Sequence, residues 1–197
     1  MDVPKLLESA ALLVPEDVAT ENDMTLNDVW EYLAHDEWEV ALGLLEELVD
    51  ATSRPLGFWE TLATAAEQMQ LARSAAWCRW RCYEDRNGVI RADLALLPAN
   101  ETQRQEPVPG AGVLRPMWNI GNRTSTGGPV LDVARLWVES MPFLEPGAQA
   151  SVRLAPLDPS RWQRLESGHV ITMHEGRSPA GTAVVLDVGQ RATTTPR

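Results

Sequence analysis

The sequence predicts an α+β protein, in which an N-terminal all-α array of helical hairpins is followed by a six-stranded antiparallel β-barrel. Three observations predict it. Apolar residues recur at helical spacing from Leu26 to Cys82, and beyond Arg86-Asn87-Gly88 the period falls to two. Charge divides at the same place: residues 1–86 hold 18 acidic and 6 basic side chains, residues 87–197 hold 10 and 11. A chain of 197 residues has room for two small cores. The expected division is an acidic helical domain at 1–86, with 1–24 partly linker, a barrel domain at 87–190 and a disordered tail at 191–197.

Along the first half, Lys5 to Val14 is a short amphipathic stretch, and Pro15 to Asp23 is polar and reads as linker. Leu26, Val29, Trp30 and Leu33 then form one apolar stripe, with Thr25 as N-cap and Asp28 three residues later in the capping-box position. A second stripe runs through Trp38, Ala41, Leu42, Leu45, Leu48 and Val49, and its opposite face is assigned Glu37, Glu39, Glu46, Glu47 and Asp50. Pro55 and Gly57 end this pair. The pattern restarts with Phe58, Leu62, Ala65 and Met69, then Leu71, Ala75, Cys78 and Cys82. The first helix pair resembles a shortened tetratricopeptide unit, the second more loosely, and two units without caps need a neighbour to lean on.

Six alternating or apolar runs follow: Val89 to Leu97, Val113 to Ile120, Val130 to Val138, Ala150 to Leu157, Val170 to His174 and Ala180 to Val188. Pro109-Gly110, Gly127-Gly128, Pro146-Gly147, Pro156 to Pro159 and Gly176 lie between them, each a place where the chain can reverse. Six short strands without intervening helix form an antiparallel sheet, and closing it removes the edges that invite aggregation.

Apolar residues make up 44% of the chain, yet no apolar run approaches the ~20 needed to cross a bilayer. The amino terminus has the acidic Asp2 where a secretory signal is basic, so a cytoplasmic location and no membrane partner are expected. Cys78 and Cys82 stand one helical turn apart and are expected to be reduced and packed. His35, His169 and His174 show no ligand spacing, so no metal or other cofactor is expected.

The order of motifs in residues 88–190 resembles the third domain of elongation factor Tu. Ala92 to Leu97, a long polar loop and Leu114-Arg115-Pro116-Met117-Trp118 look like that domain's opening strand, loop and Tyr-Arg-Pro-x-Phe. Glu145-Pro146-Gly147 resembles its Pro-Gly turn. Gly168 to Val185 is similar without a gap, with His174-Glu175-Gly176 where the family has Arg-Glu-Gly, and with Gly181 five residues on. His174 in place of arginine and Arg177-Ser178-Pro179 in place of Gly-Arg-Thr depart from the family's pattern. The resemblance implies a barrel standing without a GTPase domain. Residues 28–48 also look like the start of small acidic helical immunity proteins that neutralise bacterial toxins.

A non-catalytic protein-binding module is the expected function, with a translation component or a toxin as partner. RNA or transfer-RNA binding through the barrel is the alternative that the resemblance allows, but phosphate affinity comes largely from basic contacts, and the barrel half is nearly neutral. Gly121 to Gly128 has five residues where a phosphate loop has four, and no lysine, so no nucleotide is expected to bind. The resemblance maps a partner-binding surface to Arg115, Met117, His174 and Glu175. Arg115 has a second reading, packing its stem on the wall and bonding a carboxylate, and His174 and Glu175 a second reading as a solvated corner. Trp77 and Trp80, flanked by Arg79 and Arg81, are either a seam against the barrel or a partner site. The acidic face around Glu39, Glu46 and Asp50 is the remaining candidate.

Overall fold

A computed structural model describes residues 2–48 and 57–189. Contacts divide the chain into two compact units, Met1–Cys82 and Tyr83–Arg197.

The first unit is helical. Its elements are α1 (Val3–Ala11), α2 (Leu26–Ala34), α3 (Trp38–Leu48), α4 (Phe58–Gln68) and α5 (Ala72–Asn87), the last of which runs on into the second unit. Pro4 sits in the first turn of α1, where its missing N–H costs nothing. At the start of α2 the Asp28 carboxylate accepts hydrogen bonds from Thr25 N at 2.7 Å and Thr25 Oγ1 at 2.9 Å, the carboxylate half of a capping box. Those two bonds favour the charged form and hold Asp28 below its ordinary range.

Amphipathic stripes decide the packing. α1 packs on α4, α3 and α2, and α2 packs on α3. Leu7, Ala10, Val29, Leu42, Leu45, Phe58, Trp59 and Leu62 are almost wholly buried in one cluster, and each buried Leu or Phe side chain is worth roughly 1.5–3 kcal/mol. The amino-terminal helix thus belongs to the centre of this core. The expected linker is also tied down: Ala19 bridges to Thr25, Thr20 N donates to Met24 O at 2.9 Å, and Val14 and Val18 pack on the core. Val49, Asp50 and Pro55 lie outside the described residues, as does the tail at 191–197.

The second unit is a closed antiparallel barrel. Its strands are β1 (Ile90–Leu96), β3 (Met117–Arg123), β4 (Pro129–Val138), β6 (Gln149–Pro156), β7 (Val170–Glu175) and β8 (Ser178–Val188), in the order β1-β6-β4-β3-β7-β8 and back to β1. Two two-residue strands, β2 (Val108–Pro109) and β5 (Phe143–Leu144), pair separately, and a short 3-10 helix spans Pro159–Trp162. The helical half and the closed six-stranded barrel make the protein α+β, as its periodicities predict.

Alternation fixes the register. Strand β1 turns Ile90, Ala92, Leu94 and Leu96 inward and Arg91, Asp93 and Ala95 outward. Trp118, Leu136, Val152, Leu154, Ile171, Met173 and Ala183 complete the barrel interior, and Trp162 and Leu165 join the same cluster. Closure brings β8 against β1 with Leu94 opposite Ala183 and Leu96 opposite Gly181. A Cβ on Gly181 would sit 2.8 Å from Ala95 O, so only glycine allows this approach.

Where α5 ends, Gly88 adopts φ 77° and its N–H donates to Glu84 O at 2.7 Å, so the Asn-Gly pair terminates the helix. The last turn of α5 is fastened to the outside of the barrel. Tyr83 Oη donates to Pro156 O, Arg135 stacks over the Tyr83 ring with Cζ 4.8 Å from the centroid, and Arg153 Nη1 meets Glu84 Oε2 at 3.5 Å. Arg153 Nε also contacts Glu139 at 3.2 Å, and Glu139 takes Arg91 Nη2 at 2.9 Å, which gives an alternating chain of four charges.

Candidate binding surface

Outward residues of β8, β7, β3 and β4 meet in register across four adjacent strands. Val184 is opposite Val170, and Thr182 opposite Thr172. Thr172 is opposite Asn119, and Met117 opposite His174. Asn119 is opposite Leu131, and Met117 opposite Val133. Neither a carboxylate nor a guanidinium occurs among these residues. Val170 is 65% exposed and Val184 41%, and Leu186 continues the row at 43%. β-branched residues suit a pleated surface, but outward positions of a wetted strand ordinarily alternate to polar residues.

One rim of this wall is the corner where β3 begins and β7 ends. The pairing of Met117 with His174 places two of the expected partner-binding residues side by side, with Glu175 next along the strand. Arg104, from the loop between β1 and β3, forms an ion pair with Glu175 across 71 residues of sequence. Arg104 Nη1 also donates to Glu106 O at 3.0 Å and Pro107 O at 3.3 Å, so one guanidinium holds both the loop and the corner. Arg115 precedes β3 and is exposed, and among the described residues it forms no ion pair, so the carboxylate bond that one reading of it invoked is not made. His174 is half-buried, and its Nδ1 has no hydrogen-bond partner.

The remaining candidates lie in the helical unit. Glu39 is exposed on α3, and Asp50 lies outside the described residues. Glu46 departs from its expected place on an open acidic face: it is half-buried and accepts a hydrogen bond from Cys78 Sγ on α5 at 3.4 Å. The face called opposite is thus partly closed by α5, a contact that the periodicity of α3 alone does not register. Burial pushes the Glu46 carboxyl up from the usual 4.5 to about 7. Burial and the adjacent Glu46 push the Cys78 thiol upward as well. Both cysteines are free thiols, Cys78 buried and Cys82 partly so. Trp80 is 2% exposed and Trp77 half-buried, and the guanidinium of the buried Arg81 lies over the rings of Trp59 at 4.9 Å and Trp77 at 5.2 Å.

Other chemistry-bearing patterns resolve into structural contacts. The Gly121 to Gly128 segment is the β3–β4 hairpin, closed by Thr124 N to Gly128 O at 2.8 Å. Beside it the buried Asp132 accepts from Asn122 Nδ2 at 2.9 Å and pairs with Arg161 at 2.7 Å, which pins the 3-10 helix to β4. Among the described residues no group of three or more His, Cys, Asp or Glu could hold a metal ion, and no helix is long and apolar enough to cross a membrane.

The motif named Met117, His174 and Glu175 as candidates, and the register sets Met117 beside His174; it did not single out Arg104, Val170, Thr172 or Val184. The signal for the strand residues was present, since Val170 and Thr172 share one phase of β7, and Thr182 and Val184 one phase of β8. Nothing local marks Arg104, whose partner is supplied by the path of the loop. The chain matches no model of a protein family, and no curated protein matches it with statistical significance.

Proposed function

We propose that this chain is a non-catalytic protein-binding module, whose barrel is related to the third domain of elongation factor Tu and docks a protein partner on the outer face of β8 and β7 with the adjoining Met117, Asn119, Leu131 and Val133 of β3 and β4. The observation that carries the reading is the exposure of Val170, Val184 and Leu186 on the adjacent strands β7 and β8, a row bordered on β1 by Asp93, which stands opposite Val184. Exposed apolar area of this kind is favourable to cover and offers no counter-ion to phosphate. Arg115, His174 and Glu175, with the apolar Met117 beside His174, form the rim of the same surface, and the Arg104 clamp on Glu175 presents that rim already ordered, which lowers the entropy lost on docking.

The test is affinity capture from native cytosol with mass spectrometry, comparing the full chain with Val170→Asp/Val184→Asp and with Arg115→Ala/His174→Ala. The reading expects one set of proteins to be lost from both variants while circular dichroism stays unchanged. Identical capture profiles from all three proteins would remove it. Addition of GTP and magnesium is expected to leave the melting temperature unmoved, whereas a ligand at 100 times its dissociation constant adds ~2.7 kcal/mol.

A second reading places a basic partner, such as a toxin, on the helical unit. It is favoured by the exposed carboxylates Glu31, Asp36, Glu37, Glu39 and Glu47 on and between α2 and α3. Capture that survives both barrel variants but fails with Glu37→Lys/Glu39→Lys would select it.

A further inference from the structure

Glu46 is a carboxylate in an unusual setting. It projects from α3 towards α5, is half-buried, and has as its side-chain hydrogen-bond donors the Cys78 thiol at 3.4 Å and Ser74. A thiol is among the weakest donors in a protein and a hydroxyl is neutral. No ion pair reaches Glu46 among the described residues.

The charged groups around it are accounted for by other contacts. On α5, Arg79 donates to Glu67 at 2.7 Å and the Arg81 guanidinium lies on Trp59 and Trp77, while Cys82 is a partly buried thiol. On α3 itself the neighbouring Glu47 is a like charge that opposes ionisation of Glu46. From α1, which also packs on α3, the titratable Lys5 and Glu8 are exposed; from α2, Asp28 is held by Thr25, Glu31 is exposed and Tyr32 is half-buried. Among the described residues, a charged carboxylate at this contact loses hydration without gaining an ion pair, whereas the protonated form accepts from Cys78 at little cost.

We infer that the α3–α5 contact at Glu46 and Cys78 is a proton-operated clasp, which is tight while Glu46 carries its proton and loosens when the carboxylate ionises. Burial shifts the carboxyl to about 7, which puts the change inside the range a cell experiences. The folded value is raised above the unfolded value of 4.5, so the clasp's stability is complete below pH 4.5 and is lost as pH climbs to about 7. Between pH 6 and pH 8 those two values imply a fall of about tenfold in the closed-to-open ratio. Opening of this contact exposes Cys78, which is buried in the helical core.

Hydrogen exchange of the full chain, read by mass spectrometry at pH 6 and pH 8 and corrected for intrinsic exchange, tests the clasp. Protection of α3 and α5 is expected to fall about tenfold from pH 6 to pH 8 in the native sequence and to stay level in Glu46→Gln, with β1 and β8 constant in both as internal control. Should Glu46→Gln fold poorly, the native sequence alone remains decisive, because the loss must be confined to the helices. Equal protection at both pH values in the native protein, or the same loss in Glu46→Gln, would overturn the inference.

Discussion

On the outside of β4 and β6, Arg135, Trp137, Arg153 and Ala155 include two guanidinium groups and are half-buried or buried, whereas Val170, Thr172, Thr182, Val184 and Leu186 on β7 and β8 include none and all but Thr172 are exposed. Between these two sets of outward residues, the guanidinium groups stand where the wall is covered. The reason is visible in the pairs. The last turn of α5 covers β6 by matching Arg153 with Glu84, Arg135 with the Tyr83 ring and Pro156 O with the Tyr83 hydroxyl, so each polar group removed from water there has a partner. On the wall of β7 and β8 no described residue of the barrel unit supplies such partners to Val170, Thr182, Val184 or Leu186, and these side chains need none. Exposure alone is thus a poor guide to which wall is meant to be covered.

Removing one member of the buried ion pair is the strongest way to break this contrast. Arg153 and Glu84 are 7% and 5% exposed, so Arg153→Met leaves a carboxylate without its cation and is expected to cost about 3–5 kcal/mol in urea denaturation. Most of that loss should return in Arg153→Met/Glu84→Met. A single variant as stable as the native chain would mean that the covered wall does not depend on its charges.

A smaller effect is expected where closure needs a bare backbone. Gly181→Ala forces a Cβ against Ala95 O, and overpacking of this kind costs about 1–3 kcal/mol, readable as a lowered urea midpoint with unchanged slope. Tyr83→Phe deletes one hydrogen bond from the covered wall and should cost about 1 kcal/mol, chiefly because Pro156 O is left unpaired. The exposed wall should respond least: Val170→Thr/Val184→Thr is expected to change stability by less than about 0.5 kcal/mol per site while weakening partner capture. A large destabilisation there would show that the wall is structural and would erase its contrast with β6.

Much of this was legible in the residues. The stripe Leu26, Val29, Trp30 and Leu33 gives α2, and the shift to period two after Gly88 gives six strands near their observed limits, because burial on one face imposes periodicity directly. The strand expected at Val113 instead begins at Met117, since Val113 to Pro116 run alongside β4 through only Leu114 O and Pro116 O. β2 and β5, two residues each, carry too short a pattern to be read. At the surface, the motif reading brought Met117, His174 and Glu175 to one corner, but Glu46 could not be placed from its helix, because its surroundings come from a helix about thirty residues away.

What the sequence determined by itself was the class of each segment and which side of each strand faces the barrel interior, since those follow from local spacing and from the cost of leaving apolar groups in water. Only the tertiary structure decided which outward positions are covered, which acid meets which base, and which carboxylate is left with a thiol. Arg104 and Glu175, Arg153 and Glu84, and Cys78 and Glu46 are 71, 69 and 32 residues apart, and their contacts depend on where loops and helix ends return the chain. Alternation separates the inside of a barrel from its outside, but it does not distinguish one outer wall from another.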